Sequence, residues 1–70
     1  MKISARNTLA ATVVKVAKGA VNAEVTLKLK GGEQVVAIIT NSSVDSLGLK
    51  EGGSAYAVIK ASSVMVGVDH

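Results

Sequence analysis

Several residue types are missing from the sequence. It contains no cysteine and no proline, and its only histidine is His70. Without thiolates or a second imidazole, neither a disulfide nor a structural zinc site is expected to support the fold. A chain of 70 residues buries only about 60% of the surface that its unfolded form exposes, so its core should be marginal. Because 49% of the residues are hydrophobic, we expect the chain to gain stability by forming a homo-oligomer.

The residues that carry most enzyme chemistry are also scarce. Catalysis requires a nucleophile with a base, paired carboxylates, a metal or a cofactor cradle. Neither Gly31-Gly32 nor Gly52-Gly53 continues into the Gly-Lys-Ser/Thr pattern of a phosphate-binding loop. The acids fall on a solvated strand face, beside turns, in a helix cap or in the tail, at Glu24, Glu33, Asp45, Glu51 and Asp69. We therefore expect no enzyme, no catalytic cofactor and no directly ligated metal.

Aromatic residues and clusters of charge are equally sparse. Tyr56 is the only Phe, Tyr or Trp residue, whereas modules that bind single-stranded nucleic acid stack bases on such rings. The net charge of +3 arises from scattered Lys and Arg residues rather than from a basic run. The longest apolar stretch, residues 35–39, is too short to cross a bilayer, and the N-terminus lacks the apolar core of a signal peptide. We expect a cytoplasmic protein that has neither nucleic acid nor membrane as a partner.

Hydrophobic periodicity predicts strands in the first half of the chain. Residues 9–18 are rich in β-branched side chains, and Thr12, Val14 and Val16 would share one face of a first strand. Residues 23–30 alternate strictly between apolar and polar side chains, which is typical of a half-buried second strand. Gly31-Gly32 then predicts a tight hairpin turn. Residues 35–40 are continuously apolar up to Thr40, so both faces of a third strand should be covered, one of them by a neighbouring subunit.

A short helix and two further strands are predicted in the second half. Ser42 can cap a helix with Asp45 three residues later, and Gly48 can end it. Residues 55–61 predict a fourth strand, in which Tyr56 should be a core or interface residue, and residues 64–68 predict a fifth. The sequence thus indicates one all-β domain over residues 1–70, a five-stranded OB-like barrel with one helical turn between strands 3 and 4. An SH3-like barrel is the main alternative.

Two polar segments near the two ends of the chain stand out against this apolar background. They are Ser4-Ala5-Arg6-Asn7 and Lys60-Ala61-Ser62-Ser63. Both offer cationic and hydroxyl donors, and neither contains an acid, so if the fold brings them together they would form a pocket for a small anion. Lys60 closes an apolar run and is the least easily explained as ordinary surface.

The same segments carry a resemblance to a known family. Ser-Ala-Arg-Asn at 4–7, Lys-Gly-Ala-Val-Asn-Ala at 18–23, Ser-Leu-Gly-Leu-Lys-Glu-Gly at 46–52 and Ala-Tyr-Ala-Val-Ile-Lys-Ala-Ser-Ser-Val-Met-Val-Gly at 55–67 closely resemble the molbindins, the small molybdate-binding Mop proteins. The similarity covers essentially the whole chain, and related modules are appended to larger proteins. A chain that begins at Met1 is expected to be the stand-alone form.

The resemblance implies both a ligand and an assembly. It implies cytoplasmic binding of molybdate or tungstate for storage or homeostasis, in a homohexamer built as a trimer of dimers, with the oxyanion at subunit interfaces. The main site would be formed by Ser4, Arg6, Thr40, Ser43, Lys60, Ala61 and Ser62, with Ala61 contributing its backbone N–H. A second oxyanion site would involve Lys18, Gly19 and Ala20. Two alternatives stay open at this point, a nucleic-acid-binding OB module and an OB-type interaction module that binds no oxyanion.

Overall fold

The computed structural model describes residues 1–69 and consists of one antiparallel sheet with a short helix. Four strands lie in the order β3-β2-β1-β4 and curl into an open half-barrel, so the expected all-β, OB-like architecture is confirmed at this level. The elements in chain order are β1 (Asn7–Lys18), β2 (Asn22–Leu29), β3 (Gln34–Thr40), the helix α1 (Asn41–Leu47), β4 (Ser54–Ile59) and a 3-10 turn (Ala61–Ser63).

Strand β1 is the centre of the sheet, because its first half pairs with β4 and its second half with β2. Val14 is an extra residue in the pairing with β2, a β-bulge between the pairs Val13↔Leu27 and Lys15↔Thr26. A bulge reverses the alternation of side chains along a strand. Val13, before the bulge, is buried, and Val16, after it, packs against the core, whereas Thr12 is exposed. The expected single face through Thr12, Val14 and Val16 is therefore interrupted.

The core is small and lies on the concave side of the sheet. Strand β2 contributes half of it through the alternation that the sequence predicted, and one residue, Val44, comes from α1. Within residues 1–69 the six buried hydrophobic residues are Val13, Ala23, Val25, Leu27, Val44 and Ala57. Since two of these six are alanines, the buried apolar surface of one chain is modest, as expected for a domain of this length.

Helix α1 begins two residues earlier than the sequence indicated. Thr40, not Ser42, is the N-cap: it has extended backbone angles, and its hydroxyl oxygen accepts a hydrogen bond from the Ser43 N–H at 3.1 Å. The expected cap at Ser42 is therefore wrong, because the side chain of Thr40 already satisfies the helix start. The helix ends as predicted at Gly48, whose φ of 65° lies in the left-handed region that favours glycine.

The fifth strand is not confirmed, because residues 64–69 pair with no strand. Val64 has extended backbone angles, yet Met65 is 93% exposed and Val66 is 90% exposed. An OB-like barrel closes only when a strand lies between its two edges. In this chain those edges, β3 and β4, flank an open apolar groove of about 550 Å³.

The outer faces of the two edge strands are apolar and exposed. Val36 and Ile38 on β3 are solvent-exposed, and so is Tyr56 on β4. Tyr56 is thus not part of the core of a single chain. Of the two positions expected for Tyr56, core or interface, the interface position stays a prediction. That a neighbouring subunit covers the outer face of β3 stays a prediction.

Candidate anion-binding site

The pairing of β1 with β4 brings the two polar segments together. Asn7, the first residue of β1, lies opposite Ile59, the last residue of β4. The side-chain amide of Asn7 also donates a hydrogen bond to the Ile59 carbonyl oxygen at 3.2 Å. Arg6 directly precedes Asn7, and Lys60 directly follows Ile59. The two cationic residues therefore lie at the same end of the sheet.

A shallow pocket of about 420 Å³ lies where these segments meet. No acidic side chain contributes to it. Its lining consists of Ser4, Ala5, Arg6, Lys60, Ala61 and Ser62. Five of the seven residues expected for the main oxyanion site therefore share one pocket, which Ala5 also lines.

The donors of this pocket are not used within the described part of the chain. The ion pair found in residues 1–69 joins Lys18 to Asp45, so neither Arg6 nor Lys60 is neutralised by a carboxylate. The 3-10 turn uses the carbonyl groups of Lys60 and Ala61 as acceptors. The Ala61 N–H, at the first position of that turn, has no acceptor within it. Unpaired cations with a free N–H and hydroxyls can together bind a tetrahedral oxyanion through charge-assisted hydrogen bonds.

The other two residues expected for the main site lie elsewhere in the chain. Thr40 and Ser43 are at the junction of β3 and α1, which adjoins the Lys18 end of β1 through the pair Asn22↔Thr40. A strand of 12 residues spans roughly 36 Å at about 3.3 Å per residue. A single chain therefore presents the main site in two separated halves.

The Thr40 half is a compact group of hydroxyls. Thr40 Oγ1 donates to Ser43 Oγ at 2.8 Å and lies 3.2 Å from Ser42 Oγ. Ser42 itself was expected only as a helix cap, and the structure adds its hydroxyl to this group. Within one chain these hydroxyls bond to each other, and no cation of the first pocket contacts them.

The expected second oxyanion site is partly occupied by internal contacts. The ammonium group of Lys18 lies 2.6 Å from Asp45 Oδ1. The Gly19 carbonyl accepts a hydrogen bond from Asn41 Nδ2 at 2.9 Å, and the Gly19 N–H donates to the Asn22 carbonyl at 2.7 Å. An anion bound at Lys18, Gly19 and Ala20 would have to compete with the Asp45 carboxylate, so this site stays a prediction.

The groove between β3 and β4 is larger than the cationic pocket but has different chemistry. Its lining is mostly apolar and contains no Lys, Arg, Asp or Glu side chain, so it lacks the paired cationic side chains of the first pocket. Within residues 1–69 no cluster of three or more His, Cys, Asp or Glu side chains could hold a metal ion. No helix in that same range is long and apolar enough to span a membrane.

Two contributors were missed by reasoning from the sequence. Ala5 lines the pocket. Its position between Ser4 and Arg6, two expected site residues, could have indicated this. Asn7 joins the two polar segments through its bond to Ile59, although it had been grouped with the opening segment without a role. No sequence signal pointed to the pairing of Lys18 with Asp45, because these residues are 27 positions apart.

The half-barrel and its acid-free pocket define the class of small OB-like binding domains. A family model described as the TOBE domain matches residues 3–66, and the chain belongs to this family. Molybdenum-pterin-binding protein 3 of Clostridium pasteurianum is 52% identical over 66 residues, which cover 94% of this chain and 97% of that protein. The resemblance to the molbindins is thereby confirmed.

Solved structures support the same assignment. MopII from Clostridium pasteurianum, in an apo form, has a TM-score of 0.90 at 46% identity, covering 96% of this chain and all of that one. The cytoplasmic molybdate-binding protein ModG, solved with molybdate bound, has a TM-score of 0.93 at 54% identity, covering 99% of this chain and 49% of that one. Both matches extend over nearly the whole half-barrel.

Proposed function

We propose that this protein binds molybdate, and also tungstate, as a small oxyanion-binding protein without catalytic activity. The observation that carries the proposal is the acid-free pocket in which Arg6 and Lys60 lie beside the hydroxyls of Ser4 and Ser62. Its support from relatives is a molybdenum-pterin-binding protein at 52% identity and a molybdate-bound structure at 54% identity. Tungstate is included because it is a tetrahedral dianion that makes the same hydrogen-bonding demand as molybdate.

The proposed binding mode is electrostatic and reversible. Arg6 and Lys60 compensate the two negative charges, and the hydroxyls and the Ala61 N–H orient the oxygens. No protein atom ligates the molybdenum directly, since the donors offer protons to oxygen rather than lone pairs to metal. A protein that holds the anion in this way suits storage or homeostasis in the cytoplasm, the compartment given for ModG.

The proposed binding unit is a homohexamer arranged as a trimer of dimers. Two properties of the chain support association. In the described part of the chain the core has six buried hydrophobic residues, and Thr40 and Ser43 are separated from the cationic pocket. Association of copies would cover apolar surface and could join the halves of the site at interfaces. The second site at Lys18, Gly19 and Ala20 would then lie at a different contact between subunits.

The test is calorimetry or equilibrium dialysis with molybdate, with excess sulfate in a parallel sample and with the mass of the protein determined in solution. Tight binding that survives excess sulfate, on a hexameric protein, is the expected result. A well-formed oligomer that binds no molybdate would remove the function and favour the interaction-module alternative. Salt-dependent retention of single-stranded oligonucleotide would instead favour the nucleic-acid alternative.

A further inference from the structure

Helix α1 is held on the sheet by few contacts. It has seven residues, and Val44 is the one among them that is buried. A helix of this length is not stable by itself, and a single buried side chain does not fix its rotation about its own axis. Polar contacts must therefore decide how Thr40, the N-cap of α1, and Ser43, in its first turn, present their hydroxyls.

Asn41, the first residue of α1, contacts the turn between β1 and β2 in two ways. Its backbone N–H donates to the Val21 carbonyl oxygen at 2.8 Å, and its side-chain amide donates to the Gly19 carbonyl oxygen at 2.9 Å. The backbone bond is open to any residue except proline, whereas the second bond requires the amide. Since Thr40 directly precedes Asn41, the two bonds fix the start of the helix beside the Thr40 hydroxyl.

The other half of the Asn41 amide is not used within residues 1–69. Its Oδ1 atom is buried and has no hydrogen-bond partner there. A buried acceptor that is left unpaired costs at least as much free energy as one neutral hydrogen bond contributes. The net contribution of this side chain to folding should therefore be close to zero, so stability alone does not account for an amide at this position.

A second side chain of α1 reaches the same turn but holds it less firmly. Asp45 lies four residues after Asn41, on the same side of the helix, and its carboxylate pairs with the Lys18 ammonium. Both members of this ion pair are exposed, and exposed pairs are weak. Asn41 is partly buried, so its amide is the side-chain contact that fixes the helix on the turn.

We propose that Asn41 is a positioning residue of the oxyanion site: its amide holds the start of α1 on the β1–β2 turn and thereby orients the hydroxyls of Thr40 and Ser43. This inference rests on the proposed function. Asn41 itself does not touch the anion. Hydrogen bonds from hydroxyls weaken steeply as their geometry departs from linear, so a small rotation of α1 lowers affinity although no donor is removed.

The first experiment separates binding from stability in Asn41→Ala. Calorimetric titration with molybdate should give an affinity about threefold to tenfold weaker than that of wild type, whereas the midpoint of urea denaturation of the ligand-free protein should stay the same or rise. Ser46→Ala is the matched control, because it removes a hydrogen bond of 3.0 Å from Ser46 Oγ to the Ser42 carbonyl oxygen, which lies inside α1. The control should keep wild-type affinity.

The second experiment is a double-mutant cycle with molybdate affinity as the readout, and it tests whether Asn41 acts through the hydroxyls. In a chain that already carries Ser43→Ala, the change Asn41→Ala should cause a clearly smaller loss than in wild type, because one of the groups that Asn41 positions is gone. In a chain that carries Lys60→Ala, it should cause its full loss, because Lys60 belongs to the cationic pocket.

The outcomes separate this inference from the proposed function. If wild-type protein binds no molybdate, the proposed function fails and the inference fails with it. If wild-type protein binds molybdate and Asn41→Ala binds it equally tightly, the inference alone is wrong. A lower urea midpoint for Asn41→Ala would make Asn41 a structural residue, and equal losses in the Ser43→Ala and Lys60→Ala chains would show that it does not act through the hydroxyls.

Discussion

The side-chain amide of Asn7 donates a hydrogen bond to the carbonyl oxygen of Ile59 at 3.2 Å, joining the start of β1 to the end of β4. The residues on either side of this contact, Arg6 and Lys60, contribute the cations of the candidate site. We therefore expect Asn7→Ala to weaken molybdate binding although no charge is removed. A neutral hydrogen bond contributes about 0.5–1.5 kcal/mol, so the loss should be up to about tenfold. The measurement is calorimetric titration, with Gln34→Ala, which removes an exposed side-chain amide at the start of β3, as the comparison. Equal affinity of Asn7→Ala and wild type would show that the contact does not position the site.

The N-cap of α1 provides a test of local structure. Thr40 Oγ1 accepts the Ser43 N–H, so Thr40→Val removes the cap while keeping the shape of the side chain. The free energy of unfolding should fall by about 1 kcal/mol, within the range of 0.5–2 kcal/mol known for such caps. Ser42→Ala should change it much less, because the Ser42 hydroxyl caps no backbone N–H in α1. Urea denaturation of both variants measures the difference, and a larger loss for Ser42→Ala would restore the cap that the sequence first indicated.

The elements with a clear period or a clear turn residue were predictable from the sequence. The alternation in β2 correctly gave its buried face, and Gly48 correctly marked the end of α1. The helix start was missed because two hydroxyl residues lie close together, and only the backbone angles decide between Thr40 and Ser42. The bulge at Val14 was missed because it depends on the register with β2, which is a long-range property.

The candidate site was predictable only in part, for a similar reason. The meeting of the two polar segments follows from antiparallel pairing of β1 and β4, and it was anticipated from their shared chemistry. The fifth strand was expected from an apolar run, but a run of side chains does not specify a partner strand. One chain supplies none for residues 64–69, and the sequence does not distinguish pairing within a chain from pairing between chains.

The ion pair between Lys18 and Asp45 should contribute little to stability. The two side chains are 46% and 68% exposed, and exposed pairs of this kind contribute about 0–1 kcal/mol. Asp45→Asn should therefore shift the melting temperature only slightly, with a smaller shift at high salt. The same change frees the Lys18 ammonium, so any anion site at Lys18, Gly19 and Ala20 should bind more tightly. Thermal melts and molybdate stoichiometry check both effects, with Glu24→Gln on the outer face of β2 as the charge-matched control.

The core of a single chain is so small that truncating one buried side chain should strongly lower the free energy of unfolding. Leu27 is 5% exposed and lies in the cluster of buried residues. Leu27→Ala should cost about 2–5 kcal/mol through lost burial and the remaining cavity. For a domain whose total stability is about 5–15 kcal/mol, this loss is a large fraction of the total, and the midpoint of denaturation should fall markedly. Val21→Ala is the comparison, because Val21 is 69% exposed and its truncation should be nearly neutral; similar denaturation curves for the two variants would mean that the core is not where the structure places it.

The cations of the pocket should matter for binding much more than for folding. Arg6 and Lys60 are exposed and have no acidic partner within residues 1–69, so removing either charge leaves no buried group unsatisfied. Loss of a charge-assisted hydrogen bond costs about 1.5–3 kcal/mol, and we expect Arg6→Ala and Lys60→Ala to weaken molybdate binding by about tenfold to a hundredfold. Lys30→Ala removes the same charge at the β2–β3 turn and should leave affinity unchanged. Titration of the three variants, with circular dichroism as the check on folding, distinguishes direct contact from a general charge effect.

Two outcomes would contradict this prediction. If Arg6→Ala or Lys60→Ala unfolded the protein, these residues would have to be regarded as structural. If all three variants lost affinity equally, long-range attraction by the net charge of +3 would account for binding better than the pocket does.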